Sequence, residues 1–399
     1  MRRRGFLLLS LLVLGFTVAG PLGSSPRLLG QPIDLPASLT DKEFWDLSQT
    51  MSEEDGAFQS DNLLSNELVF PYVVPELIAR TKPGGVYLGV GPEQNFTYMA
   101  AIRPGIAIIT DIRRGNLHMQ LMYKALFELS ADRGEFVSRL FSKPRPSTVT
   151  TSSTVAELFD AFWEVPTVSE PIFNANVAAI QRHLTKTHAI PLSQDDLDGI
   201  ARVYKTFYWY GPSMNYSASV ALTGGGQGRG TNYRDLMVQT DATGQGFSYL
   251  GSEEKFAFLK ELERKNLVIP VVGNFSGPKA LRAVGAYLKS RQATVTAFYL
   301  SNVEQYLQRA GTWMEFCANV ATMPLDENSL FVRPTGRGGG GVTSFRLVTV
   351  SGSGVGDARV ITPVVSPPAG SNTQPAPGPM GSGLVPIATE VKRCTAPRN

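Results

Sequence analysis

Two hydrophobic rhythms organise this chain. Short, fully apolar runs alternate with amphipathic stretches in two blocks, residues 80–129 and 250–333. In the first block, 86–91 (VYLGVG) is an apolar run ending in glycines, which predicts a buried strand and its turn. A helix is expected over 92–102, stopped by Pro104-Gly105, and a second buried strand over 106–111 (IAIITD). Leu117, Leu121, Met122, Ala125 and Leu129 then recur at helical spacing. In the second block, Ser252 caps a helix running to Lys265, followed by a strand at 268–272, a helix at 277–289 and a strand at 294–300. Helices at 302–309 and 312–321 and a short strand at 330–333 complete it. Fully apolar strands joined by helices are the signature of a parallel sheet covered on both faces. The expectation is an α/β fold: a doubly wound, mostly parallel sheet.

Between the blocks the alternation stops. Helical periodicity fills 132–141, 154–163, 169–185 and 193–207, the last opened by Ser193 and Asp196 as a capping box. We read about 130–250 as a mainly helical insertion, with 224–230 (GGGQGRG) as a flexible loop. Ahead of the first block, Thr40 or Asp41 caps a helix carrying Phe44, Trp45 and Leu47. A proline-interrupted apolar helix is expected at 68–79.

Composition changes the picture at both ends. With 43% hydrophobic and 18% charged residues among 399, disorder of the whole chain is excluded. Residues 334–399, however, hold 12 Gly and 9 Pro with one aromatic, Phe345, and are expected to be a disordered tail. Residues 1–20 (MRRRGFLLLSLLVLGFTVAG) combine three arginines with a 14-residue apolar run, a signal-peptide pattern. Pro21 after the candidate cut leaves an uncleaved anchor open, the one membrane contact foreseen. Arg3-Arg4-Gly5-Phe6-Leu7 resembles a twin-arginine signal, although the leucine-rich run fits the general secretory route better. Export to the periplasm or exterior is expected, with 21–40 a linker and 41–333 the folded domain.

The net charge of +3 comes from the ends, and residues 31–333 stand at −5. A mildly acidic body argues against a general nucleic-acid binder, which must neutralise phosphates. Cys317 lies in an apolar helical pattern and reads as a small buried hydrophobe. Cys394 falls in the tail, and a bond between the two is open only to an exported chain. His183 and His188 are five apart, off the helical i,i+4 spacing, and read as surface polar residues, so no metal site is expected.

Candidate chemistry follows from the topology, because ligands in such sheets bind at the carboxyl ends of the strands. The first strand delivers Gly89, Gly91, Glu93, Gln94 and Asn95. Glycines there admit a ligand to the backbone, or simply make a tight turn. The second strand delivers Asp111, 22 residues after Gly89, where an acid can accept from ribose hydroxyls or cap the next helix. The third delivers Asn274 and Phe275, an amide and a ring suited to adenine or to an ordinary turn. The fourth delivers Ser301, Asn302 and Glu304, with Glu304 the candidate general base or a first-turn acid. Asp61, Asn62, Asn66 and Glu67 in SDNLLSNE (60–67) are dense for a simple cap, and this segment is expected to fold over the strand ends.

These features together resemble the Rossmann-like S-adenosylmethionine-dependent methyltransferases over roughly 80–333, less the insertion. The resemblance implies S-adenosylmethionine as cofactor, held by Gly89, Gly91, Asp111, Asn274 and Phe275, with Ser301 and Asn302 facing a small-molecule substrate. Two departures stand out. Tyr87 occupies the place where that family opens its first motif with an acid, and no Asn-Pro-Pro-Tyr signature is present. A second resemblance is more specific. The strings FW (44–45), SDNLLSNE (60–67), GGVYLGVGPEQNFTY (84–98), DIRRGN (111–116), YKALFELSADR (123–133) and YLSNVEQYL (299–307) look like an uncharacterised bacterial family, often signal-bearing, which implies no activity. The alternative to an enzyme is a non-enzymatic binding or interaction protein on a degenerate version of this fold.

Overall fold

A computed structural model of the chain describes residues 34–58, 60–67, 69–166, 170–216, 231–335, 344–350, 358–364 and 381–395. The chain divides into Met1–Pro32 and Ile33–Asn399, and all described residues belong to the second unit. The expected signal or anchor at 1–20 and the loop at 224–230 lie outside them. Among the described residues no helix is long and apolar enough to cross a membrane.

Five apolar runs pair side by side: β1 (Val86–Gly89), β2 (Ile106–Asp111), β3 (Val268–Val272), β4 (Val295–Tyr299) and β5 (Leu330–Thr335). A sixth strand, β8 (Gly381–Pro386), completes the order β3-β2-β1-β4-β5-β8. Every pair is parallel except β5–β8. Each residue of β1, β2 and β3 is buried, as strands covered on both faces must be. The strand order reverses beside β1, which pairs with β2 on one side and β4 on the other. That reversal opens a crevice at the carboxyl ends.

The first helix, α1 (Asp41–Met51), carries a full capping box from Thr40 and Glu43. It lies along the β3 edge, where Ser48 Oγ donates to Pro270 O at 2.6 Å and Glu53 N to Val272 O at 2.7 Å. The proline-interrupted stretch becomes a 3₁₀ turn, Phe70–Val73, and then α2 (Val74–Arg80). Next come α3 (Gln94–Ile102) and α4 (Arg114–Leu129). From Asn116 to Phe127 every residue of α4 is buried, because the sheet covers one side and the insertion the other.

The insertion consists of α5 (Arg133–Phe141), α6 (Val155–Glu164), α7 (Glu170–Arg182), α8 (Gln194–Tyr210) and α9 (Tyr233–Met237). Its tie to α4 is partly polar: Asp196 accepts from Arg114 at 2.7 and 3.0 Å and lies 2.9 Å from His118 Nε2. After α10 (Glu253–Arg264) and β3 follow α11 (Ala280–Ser290), α12 (Val303–Ala310) and α13 (Trp313–Ala321).

The tail departs from expectation. Beyond β5, β6 (Ser344–Val350) and β7 (Ala358–Val364) form an antiparallel pair. Then β8 extends the main sheet and leads into α14 (Ile387–Thr395). Cys394 on α14 is bonded to Cys317 on α13, with the Cα atoms 6.0 Å apart. Arg333 on β5 donates to Glu304 at 2.8 Å and to Glu390 at 3.2 Å. The β8 sequence, GSGLVP, has too few apolar residues to show a strand period, yet the open β5 edge offers it a full row of backbone partners.

Candidate functional site

A cleft of about 820 Å³, the open solvent at its mouth included, lies where the strand order reverses. Apolar and aromatic side chains make most of its walls, as in small-molecule sites. Gly91 and Pro92 come from the turn after β1, Asp111 and Arg113 from the end of β2, Asn274 and Phe275 from that of β3, and Tyr299, Ser301 and Asn302 from that of β4. Asn62, Leu64, Ser65 and Asn66 close one side, which is where the SDNLLSNE segment was expected to fold.

The β1 turn is held rigidly from below. Gly91 sits at φ +74°, a left-handed conformation that favours glycine. Its carbonyl accepts from Asn116 Nδ2 at 3.0 Å and Gln120 Nε2 at 3.1 Å, both from the buried face of α4. Asn95 Nδ2 donates to Val90 O at 2.9 Å and Pro92 O at 2.7 Å. Gly89 serves the same purpose: a Cβ there would fall 1.9 Å from Asn95 Oδ1. It makes room for a supporting amide, whereas the sequence suggested room for a ligand.

Glu93, Gln94 and Asn95 are fully buried beneath this turn and are absent from the cleft walls. Both Glu93 carboxyl oxygens lie 3.3 Å from Ser65 N. Burial pushes the Glu93 pKa up to about 8, with further help from the Glu67 charge. Gln94 Nε2 donates to Tyr98 Oη at 2.8 Å and Glu67 Oε2 at 3.1 Å, and its Oε1 accepts from Ser65 Oγ. Asn95 Oδ1 accepts from Tyr87 Oη at 2.9 Å, so the tyrosine standing in place of an acid braces the turn.

Asp111 faces the cleft already paired. Arg113 Nε donates to its Oδ1 at 3.0 Å and Nη2 to its Oδ2 at 2.8 Å, and the Arg113 backbone N–H adds a third bond at 3.0 Å. Arg113 also donates to Asp61 O. The pair presents little net charge; Oδ1 already accepts two hydrogen bonds, and Oδ2, which accepts one, keeps a lone pair for a hydroxyl. Opposite, Phe275 stacks on Phe298 with centroids 5.9 Å apart. Asn274 Oδ1 accepts from Ser276 N and Oγ, both at 3.0 Å, which fixes the amide beside the ring.

Glu304 is not in the cleft wall. It is ion-paired with Arg333, and burial raises its pKa. The general base foreseen from the sequence is therefore engaged elsewhere, because Arg333 and Glu390 stand beside it in the packing of β5 and α14. Several wall residues were not foreseen: Phe58, Tyr216, Tyr299 and Tyr306. Tyr299 was findable as the last residue of β4. Its Oη donates to Glu67 Oε1 at 2.8 Å, and Glu67 also accepts from Ser382 Oγ at 2.9 Å. Phe58 and Tyr306 meet edge to face at 4.9 Å, a contact between a loop and the distant helix α12 that no local pattern reveals.

The profile of a family described as a domain of unknown function (DUF7790) matches residues 62–206 and 208–349. That span contains every wall residue named here except Phe58. No curated protein matches the sequence.

Proposed function

We propose that this chain, which belongs to the DUF7790 family, binds a nucleoside-type small molecule, S-adenosylmethionine or a related compound, in the cleft at the carboxyl ends of β1–β4. One observation carries the reading. A single mainly apolar cleft gathers the glycine turn at Gly91, the Asp111 carboxylate, and Asn274 beside Phe275. A ribose hydroxyl fits the free lone pair of Asp111 Oδ2, and a purine ring fits against Phe275. The reversed strand order beside β1 and the antiparallel sixth strand support a Rossmann-like core of methyltransferase type.

Binding without methyl transfer is the reading we favour. Transfer to an oxygen or nitrogen acceptor calls for a base to take its proton. Glu304 is held by Arg333, and Asp111 by Arg113. The chain is read as exported, and the Cys317–Cys394 bond supports an oxidising compartment.

Calorimetry on the full chain tests this. S-adenosylmethionine or S-adenosylhomocysteine is expected to bind with a micromolar Kd. Phe275→Ala and Asn302→Ala are expected to weaken binding about ten-fold, the loss of a stacking or hydrogen-bonding contact. No heat with either ligand contradicts the proposal.

A further inference from the structure

We propose that Glu128, His183 and His188 form a binding site for a divalent transition-metal ion, Zn²⁺ being the ion their chemistry suits. The three side chains come from two elements, Glu128 from α4 and both histidines from the turn that ends α7. Glu128 Oε2 lies 2.9 Å from His183 Nε2 and 2.7 Å from His188 Nε2. One ligand atom from each falls within 4.8 Å of the others. The side chains are only 6%, 13% and 9% exposed.

The backbone explains why the spacing concealed the site. Residues His183–Thr187 form a π-helical turn, with His188 N donating to His183 O at 3.1 Å. An i→i+5 bond brings residues five apart around to one side of the helix, whereas α-helical winding places them apart. Such single π turns often occur at functional sites.

One feature fits metal binding rather than a simple ion pair, and a second fixes which carboxylate oxygen could serve. First, His188 Nδ1 lies 2.6 Å from Asp41 Oδ1, which also accepts from Asn266 Nδ2 at 2.9 Å. A carboxylate behind the ring fixes the tautomer whose Nε2 lone pair faces the ion, the arrangement typical of metal-bound histidines. Second, Lys124 Nζ occupies the other Glu128 oxygen at 2.7 Å and donates to Glu263 O, so Oε2 alone is left for the ion. Two imidazoles and one carboxylate, with water in the fourth position, are a recurrent zinc donor set. Tetrahedral ligands stand about 3.3 Å apart, so the two N···O contacts need to open by about half an ångström.

Glu128 is 14 residues along α4 from Arg114, about 20 Å from the end that meets the cleft. The ion therefore acts as a clip. It joins the α7 exit to α4 and, through Asp41, to α1.

The test uses the full chain without an affinity tag, stripped with EDTA and titrated with ZnCl₂ in the calorimeter. One Zn²⁺ per chain with a Kd of micromolar or below is expected. His183→Ala is expected to weaken binding by at least about 100-fold, and Asp41→Asn, which touches no ion, by about ten-fold. Circular dichroism establishes that each variant is folded, and His183→Gln replaces His183→Ala should the latter not fold. Cobalt substitution should give the visible absorption bands of a tetrahedral site, lost in the same variants. Absence of stoichiometric binding to the wild-type chain, or equal binding by the histidine variants, overturns the proposal.

Discussion

Glu93 shows how burial sets chemistry at a single residue. Its carboxyl has no solvent, and burial holds its pKa near 8, well above the usual carboxylate range of about 4. A raised acid contributes stability that is full below its unfolded pKa and is lost as pH rises through the folded one. The chain should therefore resist urea better at pH 5 than at pH 8. In Glu93→Gln, which cannot ionise, the difference should shrink. An unchanged gap between the two midpoints would show that the carboxyl is not held neutral. Glu263, also buried and pushed up to about 8, should account for part of the remaining slope.

Gly89 belongs to the same scale. Alanine there drives a Cβ into the amide that supports Val90 and Pro92. Such overpacking typically costs about 1–3 kcal/mol. Gly89→Ala should lower the urea midpoint and weaken ligand binding together, although the residue is not in the wall. Intact binding in a normally stable variant would refute the bracing role. The sequence indicated the glycines but not their division of labour. Gly91 opens the cleft and Gly89 accommodates Asn95, a distinction set by tertiary packing. Asp111 was likewise legible at its strand end, while its pairing with Arg113, set by how the side chain folds back, was not.

At the scale of elements, strands with fully apolar runs and helices with capping boxes were legible because their signals are local. The α8 cap at Ser193 and the α1 cap at Thr40 occur as read. What escaped detection depends on partners far along the chain. The start of α11 is capped by Glu53, whose Oε1 accepts from Lys279 N and Ala280 N at 2.9 Å each. Strand β8 exists because β5 offers an edge, and α14 follows it because Cys394 meets Cys317. Averaging composition over 334–399 hid these segments among glycines and prolines. Their contribution is measurable. The bond closes a loop over a sequence separation of 77, for which chain entropy gives about 4–5 kcal/mol. Cys394→Ser, or reduction of the wild-type chain, should lower the melting temperature by several degrees. Melting insensitive to both would mean that α14 does not stabilise the domain.

For the whole molecule, the length of α4 separates two polar centres. The cleft lies at the carboxyl ends of the strands, and the Glu128 cluster lies at the far end of α4. The long buried helix serves both: Asn116 and Gln120 hold the Gly91 turn, while Lys124 and Glu128 build the cluster. The α/β architecture and the strand-end location of the cleft were legible, since both follow from the order of apolar runs. The identity of the walls was less so, because Phe58 and Tyr216 reach the cleft from segments with no periodic signal, and the helix that carries Tyr306 does not itself reveal what that ring faces. Cutting the chain after Thr335 removes β8 and Ser382, leaving the β5 edge bare and Glu67 short of one donor. The truncated chain should aggregate at concentrations where the full chain stays in solution, as light scattering would reveal.

The central claim is that the crevice beside β1 receives a nucleoside. A crystal structure of the full chain with S-adenosylhomocysteine at saturating concentration tests it most directly. The account predicts a ribose hydroxyl on Asp111 Oδ2 and the purine between Asn274 and Phe275. An empty cleft, or a ligand bound elsewhere, would contradict it.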